Sequence, residues 1–201
     1  MSDSARGQKN ARAALARAAE KLAAAAGSPL PPLILMTDDE RLADPLAAAR
    51  ALPRGSLVIV RSRDAQRRRD LAHALREIAR TRGLFLSIAG DVALARSVGA
   101  DGVHLPERRI GDGAGLSGFL VTAAAHSLAA VRRAGAIDAL ILSPIFATAS
   151  HPERPALGAV RANRIAAEAP VPVYALGGIT AANAGLLRGF WGIAAIGALS
   201  A

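Results

Sequence analysis

The chain reads as a single eight-stranded parallel α/β barrel, a (β/α)8 TIM barrel. Three observations predict it. Short apolar runs recur along the chain at roughly 20–25-residue intervals, alternating with segments of helical composition. The runs are continuously apolar rather than alternating, as strands buried on both faces must be. Each run passes straight into a polar or glycine-rich turn, as in Gly99-Ala100-Asp101-Gly102-Val103-His104-Leu105 and Tyr174-Ala175-Leu176-Gly177-Gly178-Ile179-Thr180. A length of 201 residues fits one domain and lies near the lower limit for this barrel.

The elements follow in order. Residues 1–10 are polar and are expected as a disordered tail. Ala11 to Ala26 is nearly all Ala, Leu, Arg, Glu and Lys and predicts a helix, stopped over Gly27 to Pro32. The N-terminal helix thus occupies 11–28 and the barrel 29–201. Leu33–Met36 is the first strand, Pro45–Leu52 a short helix and Leu57–Val60 the second strand. Ala65–Arg82 carries an apolar stripe of Leu71, Leu75 and Ile78, with Gly83 as its stop. Leu84–Ile88 is strand three, Val92–Val98 a short helix and Gly102–Leu105 strand four. A glycine-rich loop over Gly111–Gly118 leads to strand five, Phe119–Ala123, and Ser127 caps a helix to about Ala134. Ala139–Leu142, Val173–Ala175 and Gly192–Ile196 complete the strands, with helices at Val160–Glu168 and Ala181–Arg188. No C-terminal helix is expected after strand eight. The outer face of strands eight and one therefore needs cover. The N-terminal helix is expected to supply it, in its own subunit or a partner's, which leaves a homo-oligomer open.

Composition narrows the function classes. Hydrophobic residues are 52% of the chain but aromatics only 3%, so Ala, Leu, Ile and Val must build the core. No cysteine is present, which excludes disulfides and thiolate–metal sites. No apolar stretch is long enough for a membrane span and the N-terminus lacks an apolar signal core, so a cytoplasmic location is expected. The net charge is +9, and Lys9 and Lys21 are the only lysines. An Ala- and Arg-rich composition is what a GC-rich coding sequence produces. The functional alternative is attraction for anions such as phosphate esters. The arginines are dispersed and few aromatics are available for stacking, so nucleic acid is not expected as a partner.

In such a barrel the site gathers at the carboxyl ends of the strands. After strand two, Arg61 and Arg63 are two apart and, if the backbone stays extended, point the same way. They are either a phosphate clamp or two surface arginines. His104 shares one face of strand four with Gly102, opposite Val103 and Leu105. Facing the barrel interior, it is a substrate contact or a satisfied structural histidine. His126, followed by Ser127 at a helix start, is the proposed proton shuttle, because imidazole can take and give a proton near pH 7. After strand six, Ser143, Thr148 and Ser150 offer hydroxyls, and His151 offers a cation. After strands seven and eight, Gly177-Gly178 and Gly197-Ala198 can bring backbone N–H groups to a phosphate, with a helix beginning at Thr180 adding its dipole.

Leu35-Met36-Thr37-Asp38, Gly99 to Leu105, His126-Ser127, Pro144-Ile145-Phe146-Ala147-Thr148, Leu176-Gly177-Gly178-Ile179 and Gly192 to Ala198 occur in one order. With them the chain resembles the thiamine phosphate synthase and thiazole tautomerase (TenI-like) superfamily, over about residues 33–199. The resemblance implies a barrel that handles a phosphorylated thiazole. Two branches differ at stated positions. The synthase branch joins a pyrimidine diphosphate to the thiazole and holds magnesium on Asn-Asp-Arg after strand three and Gly-Gln-x-Asp after strand four. Here these turns read Ala89-Gly90-Asp91 and Pro106-Glu107-Arg108-Arg109, so Gly90 and Arg109 stand where the two acids would be. Its Arg-Glu-Lys and Thr-x-Thr-Lys read Arg61-Ser62-Arg63 and Thr148-Ala149-Ser150-His151. The tautomerase branch needs no metal, and its His-Ser pair after strand five matches His126-Ser127. The resemblance therefore implies a metal-independent isomerase with no cofactor. A diverged synthase, using arginines or a displaced acid such as Asp91 or Glu107 with magnesium, is one alternative. A barrel that binds a phosphorylated ligand without turnover is another.

Overall fold

The computed structural model describes residues 3–148 and 155–200. Eight parallel strands close in sequence order, each hydrogen-bonded to the next and β8 back to β1. They are β1 Leu33–Met36, β2 Leu57–Val60, β3 Phe85–Ala89, β4 Gly102–Leu105, β5 Leu120–Ala125, β6 Ala139–Leu142, β7 Val173–Leu176 and β8 Gly192–Ala195. Four strands coincide with the sequence reading and the others differ by one or two residues at an end.

Period-two geometry sorts each buried strand into two populations. Ile34, Met36, Leu57, Ile59, Ala139, Ile141, Tyr174 and Ala194 pack together inside the barrel. Leu35, Val58, Val60, Val103, Leu105, Ala123 and Ile193 pack outward with the helices. Residues of both kinds are buried, which is why the runs look continuously apolar. Tyr174 fills the interior at its lower end, where its hydroxyl donates to the Pro31 carbonyl at 2.7 Å. A Cβ on Gly192 would lie 2.6 Å from the Tyr174 ring, so the glycine makes room for the tyrosine.

The helices are α1 Asp3–Ala26, α2 Pro45–Arg50, α3 Ala65–Arg82, α4 Val92–Ser97, α5 Leu128–Arg132 and α6 Ala159–Glu168. Asp44, Asp64, Asp91 and Ser127 each accept the N–H three residues on and start α2 to α5. Gly83, at φ 64°, ends α3 in the left-handed conformation. α1 packs against β8, β1 and the turns that follow β7 and β8. It buries Leu15, Ala16, Ala19 and Ala23, and Arg12 donates to the Ser200 carbonyl at 3.0 Å. The helix covers within one chain the strand faces that lack a following α-helix.

Three readings are corrected. Residues 3–10, expected as a disordered tail, form the first turns of α1. Their side chains from Arg6 onward are exposed, and extending an existing helix requires only propagation, not a new nucleus. The glycine-rich loop before β5 is wound into 3₁₀ turns over Glu107–Gly115, meeting at Arg109. Ala181–Arg188 is not an α-helix; only a 3₁₀ turn forms, at Ala184–Leu186. Asn183 is the reason. Its Oδ1 accepts the Thr180 N–H and its Nδ2 donates to the Gly178 carbonyl, both at 2.8 Å, so a side chain takes the groups a helix start would use.

Candidate functional site

A cavity of about 450 Å³ opens at the carboxyl end of the barrel. Its floor is the top of the interior: Met36, His104, Ala124, Ile141, Leu176 and Ala194. Its rim is formed by the loops after the strands, as the fold requires.

On the β5–β6 side stands His126. Its Nδ1 lies 3.0 Å from the Ser143 carbonyl oxygen and 3.1 Å from Ser143 Oγ. A carbonyl oxygen only accepts, so the tautomer that suits this contact carries its proton on Nδ1, with Ser143 Oγ as a second acceptor, and leaves Nε2 as the basic nitrogen. The turn beneath is anchored separately: the His126 backbone N–H donates to Glu107 Oε2 at 2.7 Å.

His104 lies inside the barrel wall with 5% of its surface exposed. Its Nδ1 is 2.9 Å from Thr122 Oγ1. Burial pushes its pKa down to about 3, and the positive charge of Arg61 adds to the effect. It is therefore a neutral hydrogen-bonding group at pH 7.

On the β1–β2 side, Arg41 and Arg61 line the cavity and share one carboxylate. Arg41 donates Nε to Asp38 Oδ1 at 3.0 Å and Nη2 to Oδ2 at 2.6 Å, and Arg61 Nη2 also donates to Oδ2. The Arg41 side chain, together with the backbone N–H groups of Arg41 and Glu40, holds the Asp38 carboxyl well below the usual carboxylate range. Thr37 binds the two loops together, receiving the Arg61 N–H and donating to the Arg61 carbonyl.

On the β7–β8 side the backbone does the work. Gly177, Gly178, Gly197 and Ala198 line the cavity, and among the described residues their N–H groups have no hydrogen-bond acceptor. Gly178, at φ 63°, is pressed against the loop after β6, where a Cβ would overlap the Ala147 carbonyl. The α-helix dipole expected behind this cradle is missing, because Thr180 starts only irregular turns.

Of the residues singled out in the sequence, Arg61, His104, His126, Ser143, Thr148, Gly177, Gly178, Gly197 and Ala198 meet at this cavity. Arg63 does not. The backbone bends at Arg63 instead of staying extended, and its N–H is held by Asp39 at 3.0 Å. Ser127 is also outside the cavity lining. Its hydroxyl caps α5, accepting the Ala130 N–H at 3.1 Å, and approaches Glu107 Oε1 at 3.3 Å. Ser150 and His151 lie outside the described residues. Arg41 was missed. The signal was there: Asp38 and Arg41 stand three apart in a loop after a strand, the spacing at which an acid and a base meet in a turn.

A model of the thiamine monophosphate synthase family matches residues 33–199. The chain belongs to that family. It is 33% identical over 185 residues to a thiamine-phosphate synthase of Salinispora arenicola, covering 84% of this chain and 88% of that protein. It is 38% identical over 143 residues to a thiamine-phosphate synthase of Methanoculleus marisnigri, covering 65% and 68%. A solved structure, thiamine phosphate pyrophosphorylase from Pyrococcus furiosus, superposes with a TM-score of 0.64 at 23% identity over 82% of this chain and 84% of that one, a likeness of fold.

The magnesium that the synthase branch implies does not fit the residues present. Asp91 is committed as the cap of α4, accepting the Leu94 N–H at 2.9 Å, and is paired with Arg68 at 3.4 Å. Both oxygens of Glu107 face the His126-Ser127 turn. Arg109 turns away to Asp112 at 2.6 Å. None of the three acids or bases lines the cavity. Among the described residues no three His, Cys, Asp or Glu side chains converge. Among the described residues no helix is long and apolar enough to cross a membrane.

Proposed function

We propose that the chain binds a small phosphorylated thiazole and moves a proton on its ring, a tautomerase-type isomerisation without a metal or other cofactor. The observation that carries this reading is His126. Its Nδ1 proton is spent on the Ser143 carbonyl, so Nε2 can accept a ring proton and return it to another ring atom. No charge is left over, because one proton is taken and one is given back, and while the proton sits on Nε2 it can exchange with solvent. The N–H groups of Gly177, Gly178, Gly197 and Ala198 hold the phosphate, since among the described residues they are donors without competing acceptors. His104, kept neutral by burial, offers a hydrogen bond to the ring.

The test is proton exchange. The protein is incubated with a thiazole phosphate in D2O with chelator, and deuterium entering the ring is followed. Exchange is expected, and His126→Ala lowers it by about two to four orders of magnitude. Ligand affinity falls far less, because the phosphate is held elsewhere. His73, exposed on α3, is the control and is replaceable without effect.

A second reading has its own support: the Salinispora and Methanoculleus relatives are named as synthases. In it, Arg41 and Arg61 face the diphosphate of a pyrimidine, which is joined to the thiazole phosphate. Magnesium-dependent release of diphosphate at ordinary rates, with no ring exchange, would replace the first reading by this one. Tight ligand binding with neither activity would leave a barrel that only binds.

A further inference from the structure

We infer that Glu107 is a positioning residue for His126, holding the turn that carries the proposed base. This rests on the reading of His126 as that base. Glu107 follows β4 directly after Pro106, and its carboxylate reaches across to the neighbouring strand's turn. Oε2 accepts the His126 backbone N–H at 2.7 Å and Oε1 faces Ser127 Oγ at 3.3 Å. One side chain thus grips two consecutive residues, with a charged acceptor stronger than a neutral one.

The grip is firm because the segment behind it is fixed. Ile110 is buried, and Gly113 is packed so closely that a Cβ would overlap the Ala136 carbonyl. The 3₁₀ turns of Glu107–Gly115 therefore lie against the β5–β6 region, pinned at both ends. Glu107 is not a loose surface acid.

The imidazole is then fixed at two points. Glu107 sets the backbone from which the ring springs, and Ser143 sets the ring through Nδ1. Removing the first lets the Cα shift and the Nδ1 bond lengthen. The ring then has no single preferred tautomer, and Nε2 is no longer held toward the cavity. A misplacement of about 1 Å is enough to lower turnover roughly 100-fold. The carboxylate itself takes no proton from the ligand, since both of its oxygens face the turn.

The experiment uses Glu107→Ala, Glu107→Asp and Glu107→Gln in the full chain. Asp is one methylene too short to hold both groups. Gln keeps an acceptor for the His126 N–H and can donate to Ser127 Oγ. The first readout is the ¹⁵N spectrum of the His126 ring near neutral pH, which separates the Nδ1–H tautomer from a mixture and needs no turnover. Wild type and Gln are expected to show the Nδ1–H form, Ala and Asp a mixture. The second readout is exchange kinetics: kcat falls about 10–100-fold for Ala and Asp with KM changed less than about threefold, and Gln stays within about threefold of wild type. An unchanged His126 ring spectrum in both Ala and Asp variants overturns the proposal, whatever happens to kcat. A changed spectrum in a protein whose wild type exchanges no ring proton upholds the positioning and removes the function proposed for His126.

Discussion

The cavity has two walls suited to anions, and they are built in opposite ways. The β7–β8 wall uses backbone: four N–H groups from Gly177, Gly178, Gly197 and Ala198, with small side chains that leave them open. The β1–β2 wall uses side chains: the guanidiniums of Arg41 and Arg61, already bonded to Asp38. An anion arriving at the arginines competes with a carboxylate that belongs to the protein. One arriving at the cradle meets no acceptor already bonded to these N–H groups among the described residues. The chain carries a net charge of +9, yet the cradle proposed for the phosphate is built from backbone N–H groups that owe nothing to that charge. Excess positive charge raises the local concentration of an anion, but donors without acceptors decide where it rests.

Breaking the backbone wall should cost most. Gly178→Ala places a methyl on the Ala147 carbonyl at a backbone angle of φ 63°. Strain and overpacking together cost about 2–4 kcal/mol, or roughly 5–15 °C in Tm for a chain of this size. Phosphate binding, read by calorimetry, falls with it. Gly197→Ala is the matched comparison, because its Cβ meets only the Arg41 carbonyl at 3.4 Å, an ordinary contact. It should change stability by no more than about 0.5 kcal/mol. Equal damage from both would mean that local crowding at Gly178 is not what makes it special.

The side-chain wall should yield a smaller effect. Arg41→Leu leaves Asp38 with Arg61 alone, a balanced pair in place of two cations on one anion. The affinity for a thiazole phosphate should weaken about threefold at low salt, and the difference should vanish near 1 M salt, where screening is short-ranged. A loss above about 30-fold that survives salt would put the phosphate on the arginines and reverse the comparison.

The smallest effect near neutrality is a pH slope. The folded-state pKa of His104 is depressed from 6.5 to about 3 by burial, so its neutral ring supports the fold fully above pH 6.5. That contribution is lost as pH falls from 6.5 toward 3, because the unfolded chain takes up the proton first. Asp38 is also depressed, so its contribution is present above the ordinary carboxylate pKa of 3.8 and fades only at lower pH. His104→Gln should flatten the stability curve between pH 6.5 and 3 in denaturant titrations and leave the Asp38 limb below it. An identical slope in wild type and variant would show that His104 is as hydrated in the folded chain as in the unfolded one.

The strands were legible because burial on both faces leaves an apolar run between polar turns, whatever the rest of the chain does. Leu33–Met36, Leu57–Val60, Gly102–Leu105 and Ala139–Leu142 could be read to the residue. Ala181–Arg188 could not. Its composition allows a helix, and the outcome turned on Asn183 reaching back to Gly178 and Thr180, a contact that composition does not encode. In the site, residues next to strand ends were readable because a barrel brings all strand ends to one mouth. Arg63 was misplaced because a single bend decides where a side chain two residues past a strand points.

By itself the sequence determined the barrel, its family and the position of His126 and the glycine turns at the mouth, since each follows from strand order and from short-range periodicity. Only the tertiary structure decided the partners: Ser143 for the His126 ring, Glu107 for its backbone, Asp38 for both Arg41 and Arg61, and α1 for the bare faces of β8 and β1. These pairings span up to 188 residues, as between Arg12 and Ser200, and depend on distances of a few tenths of an ångström. Hydrophobic burial is tolerant and can be read from a pattern, whereas a hydrogen bond depends on the exact separation and angle of two groups that only the closed fold brings together.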